Sequence, residues 1–395
     1  MCDNDLIAEN LMQNLQITSS VDHDEEDEQE ESEDKQEESD EEDEQEEDDD
    51  IVEIGVVKRL KLSRFPSPFK TIAGGFPAWL DPINLPSGTS TICGICGDPL
   101  QFLIQVYAPS EKESTFHRTL FIFMCPSMKC LLEDQHEQRK HPSNNPSRSV
   151  KVFRCQLPRS NKFYASEALD HNDGKVKAAL CSWCKTWKGC SVCVNCRSAC
   201  YCSKKHQAAH WRKGHNFECR NLAVDRQHIE SNFAANNTIW PQFKIGIRVE
   251  PKDDMMSENG GYATGLSSAG NVDEEFNPLL YSVEADADTR SWAIFEERVS
   301  RVPGQVLRYC RNVGASPLWP ISSNRPSETD VPRCCYCGGP RCFEFQIMPQ
   351  LLHHFGVQND ENSLDWSTIV IYTCEASCDG SMAYKEEFAW VQLLN

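Results

Sequence analysis

The chain lacks any long hydrophobic run, which excludes one class of protein. Its longest apolar stretches, such as LFIFM at 120–124, are far shorter than the roughly 20 residues that a helix needs to span a bilayer. The opening residues MCDNDLIAEN have neither the basic region nor the apolar core of a secretory signal. We therefore expect no membrane partner and no export, and we expect the chain to reside in a reducing compartment.

Basic residues are almost absent from one stretch. Residues 22–50 hold 22 aspartates and glutamates against one lysine, Lys35, and so carry -21 of the net charge of -22. A run of this composition cannot bury apolar surface, and residues 1–50 are predicted to be a disordered acidic tail. The tail is either a solubiliser or a polyanion that meets a basic partner. If the tail meets a basic partner, the association of the two should be salt-sensitive.

Cysteine, by contrast, is abundant, with 21 residues. In a reducing compartment this density indicates metal binding rather than disulfides. Residues 181–219, called here the cysteine-rich segment, hold eight cysteines and three histidines. A closed zinc site takes four tetrahedral Cys or His ligands. The spacing alone leaves overlapping choices, which are Cys181/Cys184 followed by either Cys190/Cys193 or Cys193/Cys196.

A cysteine-containing repeat occurs in both halves of the chain. CGICGDPLQFLIQ begins at Cys93 and CCYCGGPRCFEFQ at Cys334, with Cys, Gly, Pro, Phe and Gln at identical offsets. Each copy runs into an alternating stretch that predicts a strand, and a second apolar run then ends in two more cysteines. We predict a duplicated β-rich scaffold whose halves build one joint sheet or sandwich. Two further sets could each hold one zinc or be buried thiols: Cys93, Cys96, Cys125 and Cys130, and Cys334, Cys337, Cys374 and Cys378.

Composition also suggests the domain boundaries. The N-terminal half of the scaffold is predicted at 51–175 and the C-terminal half at 276–395, with the cysteine-rich segment between them. Residues 220–275 include a stretch rich in Gly, Ser, Asn and acidic residues, which predicts a linker. The expected fold class is α+β and mainly β.

Three short signals concern transport and modification. Ile7, Leu11, Leu15 and Ile17 follow an export-signal-like spacing, with a helix docked on its own protein as the alternative. KRLKLSR at 58–64 is either a nuclear-import signal or a solvated loop. Ser39 lies in an acidic context that acidophilic kinases favour.

The end of the cysteine-rich segment, YCSKKHQAAHWRKGHNFEC, resembles the MYND zinc finger in its Tyr-Cys-Ser, His-Gln, Trp and His-x3-Cys motifs. The resemblance implies two interleaved zinc sites and a segment that unfolds without metal. The first site is Cys181, Cys184, Cys202 and His206, and the second is Cys193, Cys196, His215 and Cys219. Cys190, Cys200 and His210 are left over. An i, i+4 pair of His206 and His210 is the alternative assignment.

The flanks of the segment resemble the programmed cell death protein 2 family over about residues 51–395. The motifs that carry this resemblance include GGFPAWLDP, CGICGDPLQFLIQVYAP, VFRCQLPRSNKFY, FEFQIMPQLL and DWSTIVIYTC. The family resemblance implies a dedicated chaperone that escorts a newly made basic small-subunit ribosomal protein, the universal fifth protein, and supports 40S ribosome biogenesis. It also implies residence in the cytoplasm and nucleus, with shuttling between them.

Two other functional classes are alternatives to a chaperone. MYND-containing methyltransferases carry an Asn-His-Ser-Cys stretch that this sequence lacks, and complete ligand sets leave no open metal position, so no catalysis is expected. The second alternative is a MYND-finger nuclear scaffold or transcriptional co-regulator that binds short peptides. Direct nucleic-acid binding is not expected, because the acidic tail would compete with phosphate. The chain is expected to be a monomer.

Overall fold

The computed structural model describes residues 51–58, 67–139, 147–164, 178–220, 239–251, 286–358, 360 and 362–394. The acidic tail, the spacing at residues 7–17, Ser39 and all but the first residue of KRLKLSR therefore lie outside the described residues. Within the ranges given, no helix combines the length and the hydropathy needed to cross a bilayer.

The described residues form twelve strands and five α-helices. The strands are β1 (Glu53–Lys58), β2 (Ile72–Ala73), β3 (Gln101–Tyr107), β4 (His117–Met124), β5 (Val150–Leu157), β6 (Ser191–Val192), β7 (Cys200–Tyr201), β8 (Phe243–Val249), β9 (Gln305–Tyr309), β10 (Arg341–Ile347), β11 (Thr368–Cys374) and β12 (Tyr384–Gln392). The helices are α1 (Met128–Glu137), α2 (Lys204–His210), α3 (Asn216–Glu218), α4 (Ala287–Ser300) and α5 (Gln350–His354). A kinked turn at Trp211–His215, in which Gly214 has a non-helical φ of 139°, joins α2 to α3.

Ten strands close into a barrel in the order β1-β8-β2-β3-β4-β5-β12-β11-β10-β9. Strands β1–β5 come from the first half of the scaffold and β9–β12 from the second. The halves meet at two antiparallel seams, β5 with β12 and β1 with β9. The mainly-β prediction is therefore confirmed, and the expected joint sheet is a closed barrel because both seams pair.

Strand β8 lies inside the 220–275 stretch for which the sequence predicts a linker, and the structure differs there. Residues 244–249 pair with β1 on one side, residues 243 and 244 pair with β2 on the other, and the strand completes the barrel wall. The physical reason is the alternation of Phe243, Ile245, Ile247 and Val249, which gives the strand one apolar face that buries Ile245.

The sequence repeat has matching features in three dimensions. A register shift between Phe102 and Ile104 interrupts the β3–β4 ladder, and another between Phe343 and Phe345 interrupts the β10–β11 ladder. The two bulges occupy the same offset from Cys93 and Cys334. A bulge bends its strand and increases its twist, so each copy of the repeat bends the barrel wall at the same place.

Successive side chains along the barrel strands point to opposite faces, so they pack into two different hydrophobic clusters. Leu120, Ile122 and Val152 pack with Phe345 and Ile371 in the apolar interior. Phe121, Phe123 and Phe153 point to the outer face, where the cysteine-rich segment covers them. A second outer cluster around Trp390 is covered by residues near Trp319 and Val331.

The barrel interior also holds a buried ion pair between the two halves. Arg118 of β4 donates from Nη1 and Nη2 to the Glu344 carboxylate oxygens at 2.5 and 2.7 Å, and both side chains are almost fully buried. Buried charges need such bidentate geometry, because their desolvation is costly. The pair joins the two halves of the scaffold, because Arg118 and Glu344 are 226 positions apart in the chain.

Candidate metal centres

All four predicted ligand sets are gathered in space. Within each set the ligand atoms lie within 4.8 Å of one another. The sets are Cys93, Cys96, Cys125 and Cys130; Cys181, Cys184, Cys202 and His206; Cys193, Cys196, His215 and Cys219; and Cys334, Cys337, Cys374 and Cys378. We call them the N-terminal, first middle, second middle and C-terminal quartets. Each could hold a metal ion.

The spacing within the quartets fits a tetrahedral ion. A zinc–sulfur bond of about 2.3 Å gives a sulfur–sulfur edge of about 3.8 Å in a tetrahedron. The Sγ–Sγ distances are 3.7 Å for Cys96–Cys125, 3.8 Å for Cys193–Cys219 and 3.6 Å for Cys337–Cys374. A disulfide would need about 2.05 Å, and the described cysteines are free thiols. The donor types and their spacing are therefore compatible with zinc.

The same backbone turn presents the Cys-x-x-Cys pair of every quartet. In each turn the residue after the second cysteine donates its N–H to the carbonyl of the first cysteine at 2.8–2.9 Å. That residue has a positive φ in all four turns, from 53° to 73°, a region that L-residues seldom adopt. The four residues are Gly97, Lys185, Arg197 and Gly338. The glycines suit this conformation, and both belong to the sequence repeat.

Electrostatics within a quartet favour a cation. A hydrogen bond with Cys125 lowers the pKa of the Cys93 thiol to about 5, whereas burial raises the pKa of Cys130 in the same quartet to about 11. The backbone N–H of Gly339 lowers the pKa of Cys337 to about 7. Four neighbouring thiolates repel one another, so full ionisation of a quartet requires a bound positive charge.

His206 and His210 do not share a site. The Nδ1 atom of His206 lies 3.1 Å from Cys202 Sγ, whereas His210 Nδ1 lies 3.0 Å from the Tyr201 hydroxyl. His210 instead stacks on the ligand-set residue His215, and both face Glu218. The i, i+4 alternative therefore does not describe this geometry. Cys190 and Cys200 also stay outside the four quartets.

The C-terminal quartet has polar neighbours that sequence reasoning missed. Arg154 of β5 reaches across the seam, and its Nη2 lies 3.6 Å from Cys378 Sγ. Its Nε donates to Glu387 at 2.7 Å, and Glu387 in turn accepts the N–H of Cys374 at 3.1 Å. Groups that hydrogen-bond to ligands orient them. Because Arg154 and Cys378 are 224 positions apart, no local sequence pattern signals this contact.

The cysteine-rich segment is held firmly on the barrel. The ring of Trp187 is buried and lies 4.3 Å from Phe123, centroid to centroid. Its Nε1 donates to the Leu100 carbonyl at 2.7 Å. In return, Trp79 of the barrel side donates its Nε1 to the Thr186 carbonyl at 2.8 Å. These reciprocal tryptophan contacts make the segment part of the barrel's outer core, so the two parts form one packed body.

Comparison with known proteins adds the family. Two models of the programmed cell death protein 2 family match the chain, its N-terminal domain at residues 51–171 and its C-terminal domain at residues 289–393. Programmed cell death protein 2 of cattle (Bos taurus) is 35% identical over 363 residues, covering 86% of this chain and 96% of that protein. The chain belongs to the programmed cell death protein 2 family.

More distant members of the family extend the comparison. The human protein named programmed cell death protein 2-like is 26% identical over 344 residues, covering 81% of this chain and 88% of that protein. A fission yeast protein (Schizosaccharomyces pombe) named probable 20S rRNA accumulation protein 4 is 23% identical over 369 residues, covering 80% of this chain and 89% of that protein. No solved structure matches the chain. The two family models flank the cysteine-rich segment and do not cover it.

Proposed function

We propose that this protein is a dedicated chaperone for a newly made, basic small-subunit ribosomal protein, the universal fifth protein, and that it supports 40S ribosome biogenesis. The observation that carries the proposal is the match to the fission yeast relative, whose name links that protein to the accumulation of 20S rRNA. We propose that the protein acts in both the cytoplasm and the nucleus and that it catalyses no reaction.

The geometry supports a rigid holder. We propose that each quartet binds one zinc ion and that the cysteine-rich segment is a MYND-type finger with two of these ions. Zinc sites with four protein ligands are structural sites, because they hold separate parts of the chain together and have no open coordination position. The reciprocal contacts of Trp79 and Trp187 fix the finger to the barrel. The body therefore keeps its shape while it holds a partner.

The charge distribution supports a basic cargo. A ribosomal protein is rich in Lys and Arg and precipitates when it is not bound. Residues 22–50 carry a net -21, and a polyanion of this kind speeds the capture of a polycation. We propose that the acidic tail stands in for RNA phosphate until the cargo reaches its place in the subunit precursor.

A second candidate function rests on exposed apolar residues beside the second middle quartet. Val194 is 82% exposed and Phe217 is 75% exposed, and both are close in sequence to ligands of that quartet. Exposed apolar side chains of this kind suit a short peptide ligand. They favour the alternative of a nuclear scaffold or transcriptional co-regulator.

Affinity purification of the native protein distinguishes the two functions. We expect the universal fifth protein to co-purify in near-stoichiometric amount, because a dedicated chaperone binds one client. Quantitative mass spectrometry of the eluate measures this ratio. A Val194→Ser/Phe217→Ser variant is the matched control and should retain the ribosomal cargo. Recovery of transcriptional regulators in place of the cargo, with their loss in the control variant, would overturn the proposal.

A further inference from the structure

Strand β8 has an open edge beyond the point where β2 ends. On one side β8 pairs with β1 from Lys244 to Val249. On the other side β2 pairs only with Phe243 and Lys244. In the part of the chain that the structure describes, no residue pairs with Gly246–Val249 on that side. Among the described residues, four residues of the barrel wall therefore form an edge strand.

The backbone groups at this edge have a defined direction. The N–H of Glu250 donates to the Val52 carbonyl of the β1 side at 2.8 Å, whereas the N–H of Ile245 donates the other way, to Thr71, at 3.0 Å. Hydrogen-bonding direction alternates along an antiparallel strand. The N–H and C=O groups of Ile247 and Val249 therefore point out of the open edge.

The packing of residues 67–70, which precede β2, explains why the edge of β8 is unpaired. The buried side-chain amide of Gln105 donates to the carbonyls of Ser67 and Lys70 at 3.1 and 2.9 Å. The hydroxyl of Thr119 donates to the Pro68 carbonyl at 3.2 Å. These contacts hold residues 67–70 over β3 and β4, so this segment does not continue along β8.

The side chains at the edge are apolar. Ile247 is 41% exposed and Val249 is 58% exposed, and both lie on the same face as the buried Ile245. On the opposite face Lys244 and Arg248 are exposed. An edge with unpaired backbone groups and accessible apolar side chains is the surface that an added strand recognises. Without a partner it would be a liability.

The acidic tail directly precedes β1 in the sequence, and β1 is the strand that pairs with β8 on its other side. Glu53, the first residue of β1, lies opposite Val249, and the run of acidic residues ends at Asp50. Charge is screened beyond about 8 Å at physiological salt, so the acidic residues that act at β1 are those that directly precede it in the sequence. The sequence thus supplies negative charge a few residues before the strand that pairs with β8, and this charge suits a basic partner.

We propose that the open edge of β8 binds an extended segment of the basic cargo as an added β-strand. This inference rests on the proposed function and assigns its docking surface. The added segment places apolar side chains over Ile247 and Val249 at every second position. The residues between them meet Lys244 and Arg248, so those positions of the cargo segment lack Lys and Arg.

Residue-resolved hydrogen exchange of the full chain tests this assignment. In the free protein the amides of Ile247 and Val249 should exchange fast, whereas those of Gly246 and Arg248, which bond to β1, should exchange slowly. Addition of the purified fifth protein should slow exchange at Ile247 and Val249 at least about tenfold, because each amide gains a backbone hydrogen bond. Protection that is already present without cargo, or unchanged fast exchange with it, would overturn the assignment.

Proline substitution gives a second readout. Ile247→Pro/Val249→Pro removes two outward N–H groups and leaves the bonds to β1 in place, a substitution that edge strands tolerate. Loss of two hydrogen bonds should weaken cargo binding by roughly tenfold or more. Val313→Pro is the matched control, because Val313 is 99% exposed and precedes Gly314 in a turn that accepts proline. The control should bind with unchanged affinity.

These experiments distinguish an error in the docking surface from an error in the proposed function. If the wild-type chain binds the cargo and the double proline variant, still folded by its exchange pattern at Gly246 and Arg248, binds equally well, only the docking surface is wrong. If the wild-type chain does not bind the cargo at all, the proposed function is wrong and the assignment of this edge is wrong with it.

Discussion

Removal of zinc is expected to unfold the cysteine-rich segment and uncover the outer face of the barrel. Structural zinc contributes roughly 10–16 kcal/mol in finger-sized peptides, as much as the total stability of many domains, which is about 5–15 kcal/mol. The two middle quartets interleave along the chain, so either of the two proposed ions would constrain most of the segment. The loss of folded structure is measured during stepwise chelation by hydrogen exchange at residues 181–219 and by the fluorescence of the buried Trp187.

A pair of cysteine variants provides the control for that experiment. Cys202→Ser removes a ligand of the first middle quartet and should release zinc and unfold the segment. Cys190→Ser changes an exposed thiol outside the four quartets and should alter stability by no more than about 0.5 kcal/mol. A segment that stays protected after stoichiometric loss of zinc would show that the ligand assignment is wrong.

Glu344→Gln should be strongly destabilising, because it leaves the charge of Arg118 buried without its partner. Breaking one side of a buried ion pair costs about 3–5 kcal/mol. The substitution preserves the size of the side chain, so little of the cost comes from a cavity. Asp379→Asn breaks the exposed pair with Lys112 and should cost at most about 1 kcal/mol. Denaturant unfolding of the three proteins at neutral pH measures the free energies of unfolding.

The same pair predicts an acid dependence of stability. Burial is the largest single influence and opposes ionisation of Glu344, but the charges of Arg118 and Arg311 and the hydrogen bonds from Arg118 and Thr373 together hold the pKa of that carboxyl below its usual value. The pair therefore contributes fully above the unfolded pKa of about 4.3. This contribution is lost as the pH falls through the lower folded pKa. The Gln variant should lose less stability than the wild type over that acid range. An equal loss in both proteins would contradict the role assigned to the pair.

The local parts of the metal centres are predictable from the sequence, since a Cys-x-x-Cys turn needs only four neighbouring residues. The gathering of distant ligands is a hypothesis that comes from the repeat for Cys93 with Cys130 and from the MYND resemblance for the two middle quartets. The structure places these residues together. Arg154 could not be foreseen, because it contacts Cys378 only after β5 and β12 have paired.

The barrel itself was only partly predictable. Alternating residues predict the strands around Phe102 and Phe343, but strand alternation does not specify which strands become neighbours. The seams β5–β12 and β1–β9 depend on contacts between residues far apart in the chain. Strand β8 was hidden for another reason: a polar, glycine-rich stretch follows it, and that composition is typical of a linker. The docking of Trp187 on Phe123 likewise depends on tertiary packing, which periodicity does not encode.

Native mass spectrometry of the purified full chain tests the central claim most directly, because it counts bound metal ions on the folded protein. We expect four zinc ions per chain, one in each quartet, and loss of the compact charge-state distribution when they are removed. A compact, folded chain that carries no metal would contradict it.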